Sequence, residues 1–185
     1  MNAEYAFVLW VSAIVSAAVG FAAWRRRSSP GATGLLLLMA ACFEWSSTYA
    51  MALASTDPVE QEMLLLLTHL GSVIIPAAAL LIALEFARRE VVVARPAVWL
   101  LLVMPVITLA IVATDSRHGL YFGSDGISAH VVTGGPWLWV DILYSYAMIG
   151  SAIILIAIAS GAASTMRVVN AAPQRCYCHP VHYRL

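Results

Sequence analysis

The chain has 185 residues, 62% of them hydrophobic and 11% charged, with a formal net charge of zero. Soluble domains carry roughly 45–50% apolar and about 25% charged residues, so this composition excludes an ordinary soluble globular protein. Several apolar runs of about 20 residues are each long enough to cross a hydrocarbon core about 30 Å thick, which makes the bilayer the medium in which the chain folds.

A first span is expected over 5–24. Its start is acidic (Glu4), and Arg25, Arg26 and Arg27 follow the apolar run instead of preceding it. That order is the reverse of a signal peptide and fits a spanning helix. A second span is expected over 32–54, with Glu44 near mid-depth, and is broken by Thr56-Asp57-Pro58. Glu60 and Glu62 keep the short loop after it acidic. The third, 63–87, contains His69 and Pro76 and is closed by Arg88-Arg89-Glu90. The fourth, 98–113, is entered through Arg95-Pro96 and holds Pro105. A loop rich in Gly, His and aromatics runs over 115–135, and a fifth span over 137–160. The remainder, 161–185, is polar and Pro-interrupted, and is expected to be a disordered cytoplasmic tail. The fold class is therefore all-α, a polytopic membrane bundle of five helices.

Arginine placement gives an orientation. With the N-terminus outside, the internal segments hold Arg25, Arg26, Arg27, Arg88, Arg89, Arg95, Arg167, Arg175 and Arg184, and the external ones hold only Arg117. This is the bias that the positive-inside rule describes. It predicts an external N-terminus and an internal C-terminus. Trp10, Trp24, Trp99, Trp137 and Trp139 fall mostly near span ends, as interfacial anchors do.

Few polar residues interrupt the spans, and those few are the candidates for function. A carboxylate at mid-bilayer costs about 2.5–3.5 kcal/mol on insertion scales, so Glu44 must face the bundle interior, a partner or water. Ser47 and Thr48 lie on its face at i+3 and i+4. Either Glu44 is a ligand or proton site, or it is a hydrogen-bonded packing residue. His69 is either a ligand-binding or pH-sensing group or a buried hydrogen-bonding one. Pro76, in the same span, removes one backbone hydrogen bond and bends the helix. Asp141, Tyr144 and Ser145 share a helix face at i, i+3 and i+4. With Arg117, His118, Tyr121 and Phe122 above them, they outline a pocket for a small ligand. A packing network with interfacial tyrosines such as Tyr146 is the competing reading. Cys176, Cys178, His179 and His182 are metal-ligand types, but their spacing fits no zinc pattern, and neither a metal nor a cofactor is expected. No phosphate-binding glycine loop, HExxH or Ser/His/Asp pattern occurs, which argues against a self-contained enzyme.

Three stretches carry a resemblance to a known family. These are IIPAAALLIALE, ending at Glu85, PVITLAIVATDSRHG over 105–119, with Thr114 and His118 in a Thr-x-x-x-His arrangement, and GPWLWVDILYSYAMIG over 135–150. The chain resembles the N-terminal seven-transmembrane sensor region of histidine kinases over about 1–160. Asp141 stands where sequences of this kind often have His. The resemblance implies an input module without catalysis in this chain, truncated after the fifth span or standing alone.

Three functions follow as alternatives. In a sensory module, a small extracellular or lipophilic ligand binds among Glu44, His69, Arg117, His118, Asp141, Tyr144 and Ser145 in a multi-pass cell-membrane protein. A proton-coupled or solute transporter would use Glu44 and His69 as a relay. A structural subunit would bind no ligand. The expected partners are the bilayer and, over the exposed helix faces, a second copy of the chain; no nucleic-acid partner is expected.

Overall fold

Charges, prolines and glycines punctuate the apolar runs, and the helices begin and end at them. The computed structural model describes residues 2–29, 31–87, 95–123 and 134–171, without the side chains of 2, 3, 95–100 and 162–171. It contains the helices α1 (Asn2–Arg25), α2 (Ala32–Ala54), α3 (Pro58–Ala87), α4 (Arg95–Thr114) and α5 (Pro136–Ala171), with a 3-10 turn at Asp115–Arg117. All regular structure among the described residues is helical, as the hydropathy pattern predicts. Four helical stretches among them, Glu4–Arg25, Ala32–Ala54, Pro58–Ala87 and Pro136–Gly161, are long and apolar enough to cross a membrane. At about 1.5 Å per residue, the 20 residues of α4 reach about 30 Å as well.

Two boundaries differ from the sequence expectation by about five residues or more. Helix α3 begins at Pro58, ahead of the expected residue 63, and takes Glu60 into its first turn. Proline suits the first helical position because its missing N–H would be unpaired there. The carboxylate of Asp57 accepts the N–H of Val59 at 3.0 Å, and Ser55 Oγ donates to Glu60 Oε2 at 2.7 Å. This is helix-capping chemistry in a stretch whose acidity reads as a loop. At the other end, α5 passes residue 160 and continues to Ala171, so part of the expected disordered tail is helical. The segment 161–171 has no proline, and its alanines, Met166 and Arg167 are good helix formers. The rest of the tail, with Cys176, Cys178, His179 and His182, lies outside the described residues, as do Arg88, Arg89 and Glu90.

Helix α3 is the centre of the bundle. It packs against α2, α4 and α5, while α1 reaches the rest mainly through α2. Lipid tails are as apolar as leucine, so burying leucine gives helices in a bilayer little reason to associate; close contact and hydrogen bonds do so instead. The buried positions fit this: Ala41, Ser46, Ala50 and Ala52 on α2, and Thr68, Gly71, Ala77, Ala78 and Ala83 on α3. Large apolar residues point outward, among them Phe7, Ile14 and Phe21 on α1 and Leu143, Ile153 and Ile158 on α5. Gly71 marks the closest approach of α2 and α3. A β-carbon there would meet the Ala41 carbonyl oxygen and would lie 2.5 Å from Glu44 Oε2 and 2.9 Å from Trp45 Cβ. Near the other end of the interface, a β-carbon on Gly34 would lie 2.9 Å from the Ile82 backbone nitrogen. The Gly34 N–H donates to Glu85 Oε2 at 3.3 Å. A carboxylate from α3 thus answers one of the unpaired amides in the first turn of α2. Ser12 and Ser46 share a hydrogen bond at 3.3 Å between α1 and α2. The hydroxyls of Thr48 and Thr68 meet at 3.3 Å between α2 and α3.

Gly71→Ala is expected to lower stability by about 1–3 kcal/mol, the usual cost of overpacking. Gly150, whose β-carbon would meet nothing within 4 Å, is the control. Gly150→Ala should leave stability unchanged or raise it by about 0.5–1 kcal/mol, because alanine is the better helix former. Thermal unfolding of the detergent-solubilised variants distinguishes the two.

Candidate functional site

The loop after α4 is built on Asp115. This residue is only 6% exposed, and its carboxylate accepts the N–H of Tyr121 at 2.7 Å and of Phe122 at 3.2 Å. Its own carbonyl accepts the N–H of His118 at 3.0 Å and of Gly119 at 2.7 Å. The chain then turns through Gly119 and Gly123, both with positive φ. The loop docks on the start of α5. Tyr121 O accepts the N–H of Gly135 at 2.8 Å, and Leu120 O accepts the N–H of Trp137 at 3.0 Å. A β-carbon on Gly135 would strike the Leu120 carbonyl, so this position needs glycine. The Gly-Pro-Trp opening of α5 thereby acquires physical roles. Gly135 permits the approach of the loop, Pro136 suits the first helical position, and Trp137 reaches across to α4.

The loop delivers Tyr121 and Phe122 into the bundle, where they pack with Val112. Three rings meet edge to face: His69–Tyr121 at 5.3 Å between centroids, His69–Phe122 at 5.2 Å, and Tyr121–Phe122 at 4.9 Å. Such geometry sets ring edges against ring faces and is favourable by about 0.5–1.5 kcal/mol per pair. Below the rings lies Asp141. Its Oδ1 accepts the Thr108 hydroxyl and its Oδ2 the Tyr121 hydroxyl, each at 3.3 Å. Thr108, with no exposed surface, in turn accepts the indole N–H of Trp137 at 3.2 Å. His69 lies within electrostatic reach of Asp141. Its Nδ1 sits 2.9 Å from the Leu65 carbonyl. A carbonyl only accepts, so Nδ1 carries the proton and Nε2 is left for another partner. One carboxylate is thus joined to α4, to the loop and, through space, to α3.

Burial pushes the Tyr121 hydroxyl well above the ordinary tyrosine range, and the negative charge of Asp141 adds to the effect. Tyr121 therefore remains a neutral donor to Asp141 through neutral and mildly alkaline conditions.

The candidates from the sequence fall into separate groups. The structure brings His69 and Asp141 together. Tyr144 shares Asp141's direction toward α4, its hydroxyl donating to Leu101 O at 3.0 Å. Ser145 is half-buried, with no side-chain hydrogen bond among the described residues. Tyr146 points outward, 74% exposed. Arg117 and His118 are exposed and stand outside the buried cluster. His118 Nε2 lies 3.0 Å from Thr114 Oγ1, and its Nδ1 accepts the N–H of Leu120 at 3.2 Å. That nitrogen therefore carries no proton, and its 3.7 Å approach to Asp115 is proximity and not an ion pair.

Glu44 lies elsewhere, against Gly71 on the α2 side of α3. Both its carboxylate oxygens are buried, and neither has a hydrogen-bond partner among the described residues. Gly71 is two residues from His69, about 200° around the helix, so Glu44 and His69 occupy opposite sides of α3. No hydrogen bond joins the two side chains. Among the described residues, no group of three His, Cys, Asp or Glu side chains is placed to hold a metal ion.

Sequence reasoning passed over Asp115 and Thr108, which hold the cluster together. Asp115 has a local signal, being an aspartate just past a helix end and followed by glycine-rich turns. Thr108 has none, because threonine is ordinary in membrane helices. Asp115→Ala strands two buried amides and should cost about 1.5–3 kcal/mol. Ser116→Ala, at an exposed position, should stay within about 0.5 kcal/mol in the same thermal unfolding assay. The Tyr121 shift has a sign that can be checked. The folded state favours the neutral hydroxyl, so its stabilisation is full below the unfolded tyrosine value near 10 and fades only as pH rises through the higher folded value. In a tyrosinate absorbance titration, the difference between wild type and Tyr121→Phe should appear only after the exposed tyrosines have ionised.

The model of the N-terminal 7TM region of histidine kinase matches residues 8–170 of the chain. No curated protein and no solved structure matches it. The match runs from α1 to the end of α5 and takes in the Asp115 loop, the glycine opening of α5 and the Asp141 cluster. The chain is a membrane-spanning helical protein belonging to the family of N-terminal 7TM regions of histidine kinases.

Proposed function

We propose that the chain is a sensory input module in the cell membrane that reports on a small extracellular or lipophilic ligand through the packing of α3, α4 and α5. The observation that carries this reading is the double hydrogen bond on Asp141, one from the loop at Tyr121 and one from α4 at Thr108, with His69 of α3 alongside. A ligand that displaces or tightens Tyr121 changes the partners of a half-buried carboxylate that ties α5 to α4 and to the loop, and the helices must repack to satisfy it. A ligand moves such an equilibrium only by its difference in affinity between the two packings. About 1.4 kcal/mol of difference changes the ratio tenfold, which is on the scale of one or two hydrogen bonds. The family match supports an input role, with catalysis belonging to a domain coupled to this region.

The arginine distribution supports an external N-terminus, an external Asp115 loop and an internal C-terminus. In this orientation the buried Tyr121 and the half-buried Asp141 lie toward the external end of the bundle, beneath the loop. A cysteine in place of Ser116 should react with a membrane-impermeant thiol reagent in intact cells, in a background where Cys42, Cys176 and Cys178 are serine. A cysteine in place of Ser28 should react only after permeabilisation. The reverse pattern overturns the orientation.

The ligand site is tested by thermal-shift screening of the purified protein against small molecules. A ligand of this site stabilises the wild type, and its shift is lost in Asp141→Asn and reduced in Tyr121→Phe, while Ser145→Ala retains it. An equal shift in wild type and in both cluster variants removes the site from the Asp141 cluster.

A further inference from the structure

A cleft of about 430 Å³ opens between α1, α2 and α3 at the end of the bundle opposite Asp115. Drug-sized ligands occupy pockets of about 300–1,000 Å³, so the cleft is large enough to hold a substantial molecule. Val19, Leu35, Ile82 and Phe86 form its walls, and Arg26 stands among its lining residues next to Gly31. We propose that this cleft binds an anionic phospholipid, with the phosphate on Arg26 and an acyl chain along the apolar walls.

Arg25 ends α1 and Arg26 and Arg27 follow it in the turn, but the three are not equivalent. The Arg25 guanidinium lies 6.0 Å from the Phe21 ring and that of Arg27 lies 5.9 Å from the Trp24 ring, both over faces of their own helix. Only Arg26 of the three lines the cleft. Among the described residues, no carboxylate comes within ion-pair distance of Arg26. The nearby acid, Glu85, is turned to the Gly34 amide and does not line the cleft. The turn that presents Arg26 is fixed. Arg26 N–H donates to Ala23 O at 3.0 Å, and Arg26 O accepts the N–H of Ser29 at 2.8 Å. Gly31 then swings the chain into α2 with φ of 84°, and a β-carbon there would meet no atom of the described residues within 4 Å.

The position of the cleft selects a lipid over a soluble anion. The 24 residues of α1 span about 36 Å, a little more than the hydrocarbon core, which puts Trp24 and the arginines at headgroup level. An apolar cleft with a cationic mouth at that depth matches the phosphate and one acyl chain of a phospholipid. The acyl chain exchanges one hydrocarbon surface for another and discriminates little between lipids. Discrimination falls to Arg26. One arginine near an anionic surface contributes about 1 kcal/mol, which is about fivefold in affinity.

The test is native mass spectrometry of the full chain in detergent, with phosphatidylglycerol and phosphatidylcholine at equal mole fraction. The expected result is retention of phosphatidylglycerol over phosphatidylcholine by about fivefold. Arg26→Gln loses the preference, while Arg25→Gln and Arg27→Gln keep most of it. Leu35→Trp, which fills the cleft, loses the bound lipid. Circular dichroism should show the same helix content for all four variants. Glycerol phosphate, which has the headgroup chemistry without the chains, should not compete. The proposal is overturned if the three Gln variants lose the preference equally, since that indicates diffuse attraction to a basic surface. Equal competition by glycerol phosphate also overturns it, as does a Leu35→Trp variant that changes the number of copies in the particle instead of the number of lipids.

Discussion

Hydrocarbon gives helices no reason to bury leucine, and this constraint explains most of the interior. The interior of the α2–α3 interface is made largely of alanine, glycine, serine and threonine because only these let two backbones approach. Gly71 shows the constraint at its limit, with the Ala41 carbonyl and the Glu44 carboxylate both where a β-carbon would stand. Once α2 and α3 are this close, hydrogen bonds that water would otherwise weaken become useful. The Thr48–Thr68 contact and the Glu85 carboxylate on the Gly34 amide both cross the same interface. α3 thereby gains a fixed side, and its other side is left to meet α4, α5 and the loop.

On that second side polarity is concentrated at one place. Asp141 accepts two hydroxyls, Thr108 passes the chain of hydrogen bonds on to Trp137, and the Asp115 carboxylate holds the loop that supplies Tyr121. Each member is positioned by another. The arrangement is economical in sequence, since the 3-10 turn, two glycine turns and the Gly135-Pro136 opening suffice to aim the loop inward. Two of the three stretches that carry the family resemblance, 105–119 and 135–150, lie here. Thr114 and His118 bond each other, Gly135 admits Leu120, and Trp137 anchors on α4.

The helices were legible in the sequence because hydropathy in a membrane chain is nearly a direct record of spanning. Their ends were less so. Asp57-Pro58 reads as a break and is in fact a helix start, since the same residues that interrupt one helix cap the next. Residues 161–171 read as tail because their polarity suggests disorder, although their helix propensity is good. At the site, i, i+3 spacing placed Asp141 and Tyr144 correctly on one side of α5, facing α4. It could not show that Arg117 and His118 stay outside, because a loop has no periodicity to reveal direction. Nor could it separate Glu44 from His69, since each is plausible as an inward polar residue until α3 is seen to stand between them.

That placement of α3 has a mechanical consequence. A central helix with a glycine seat on one side and an imidazole on the other behaves as an axle with two cams. If α3 turns about its axis, Gly71 shifts from beneath the Glu44 carboxylate in the same motion that carries His69 across the faces of Tyr121 and Phe122. Such a turn would reach both the Glu44 carboxylate and the distant loop through the body of one helix.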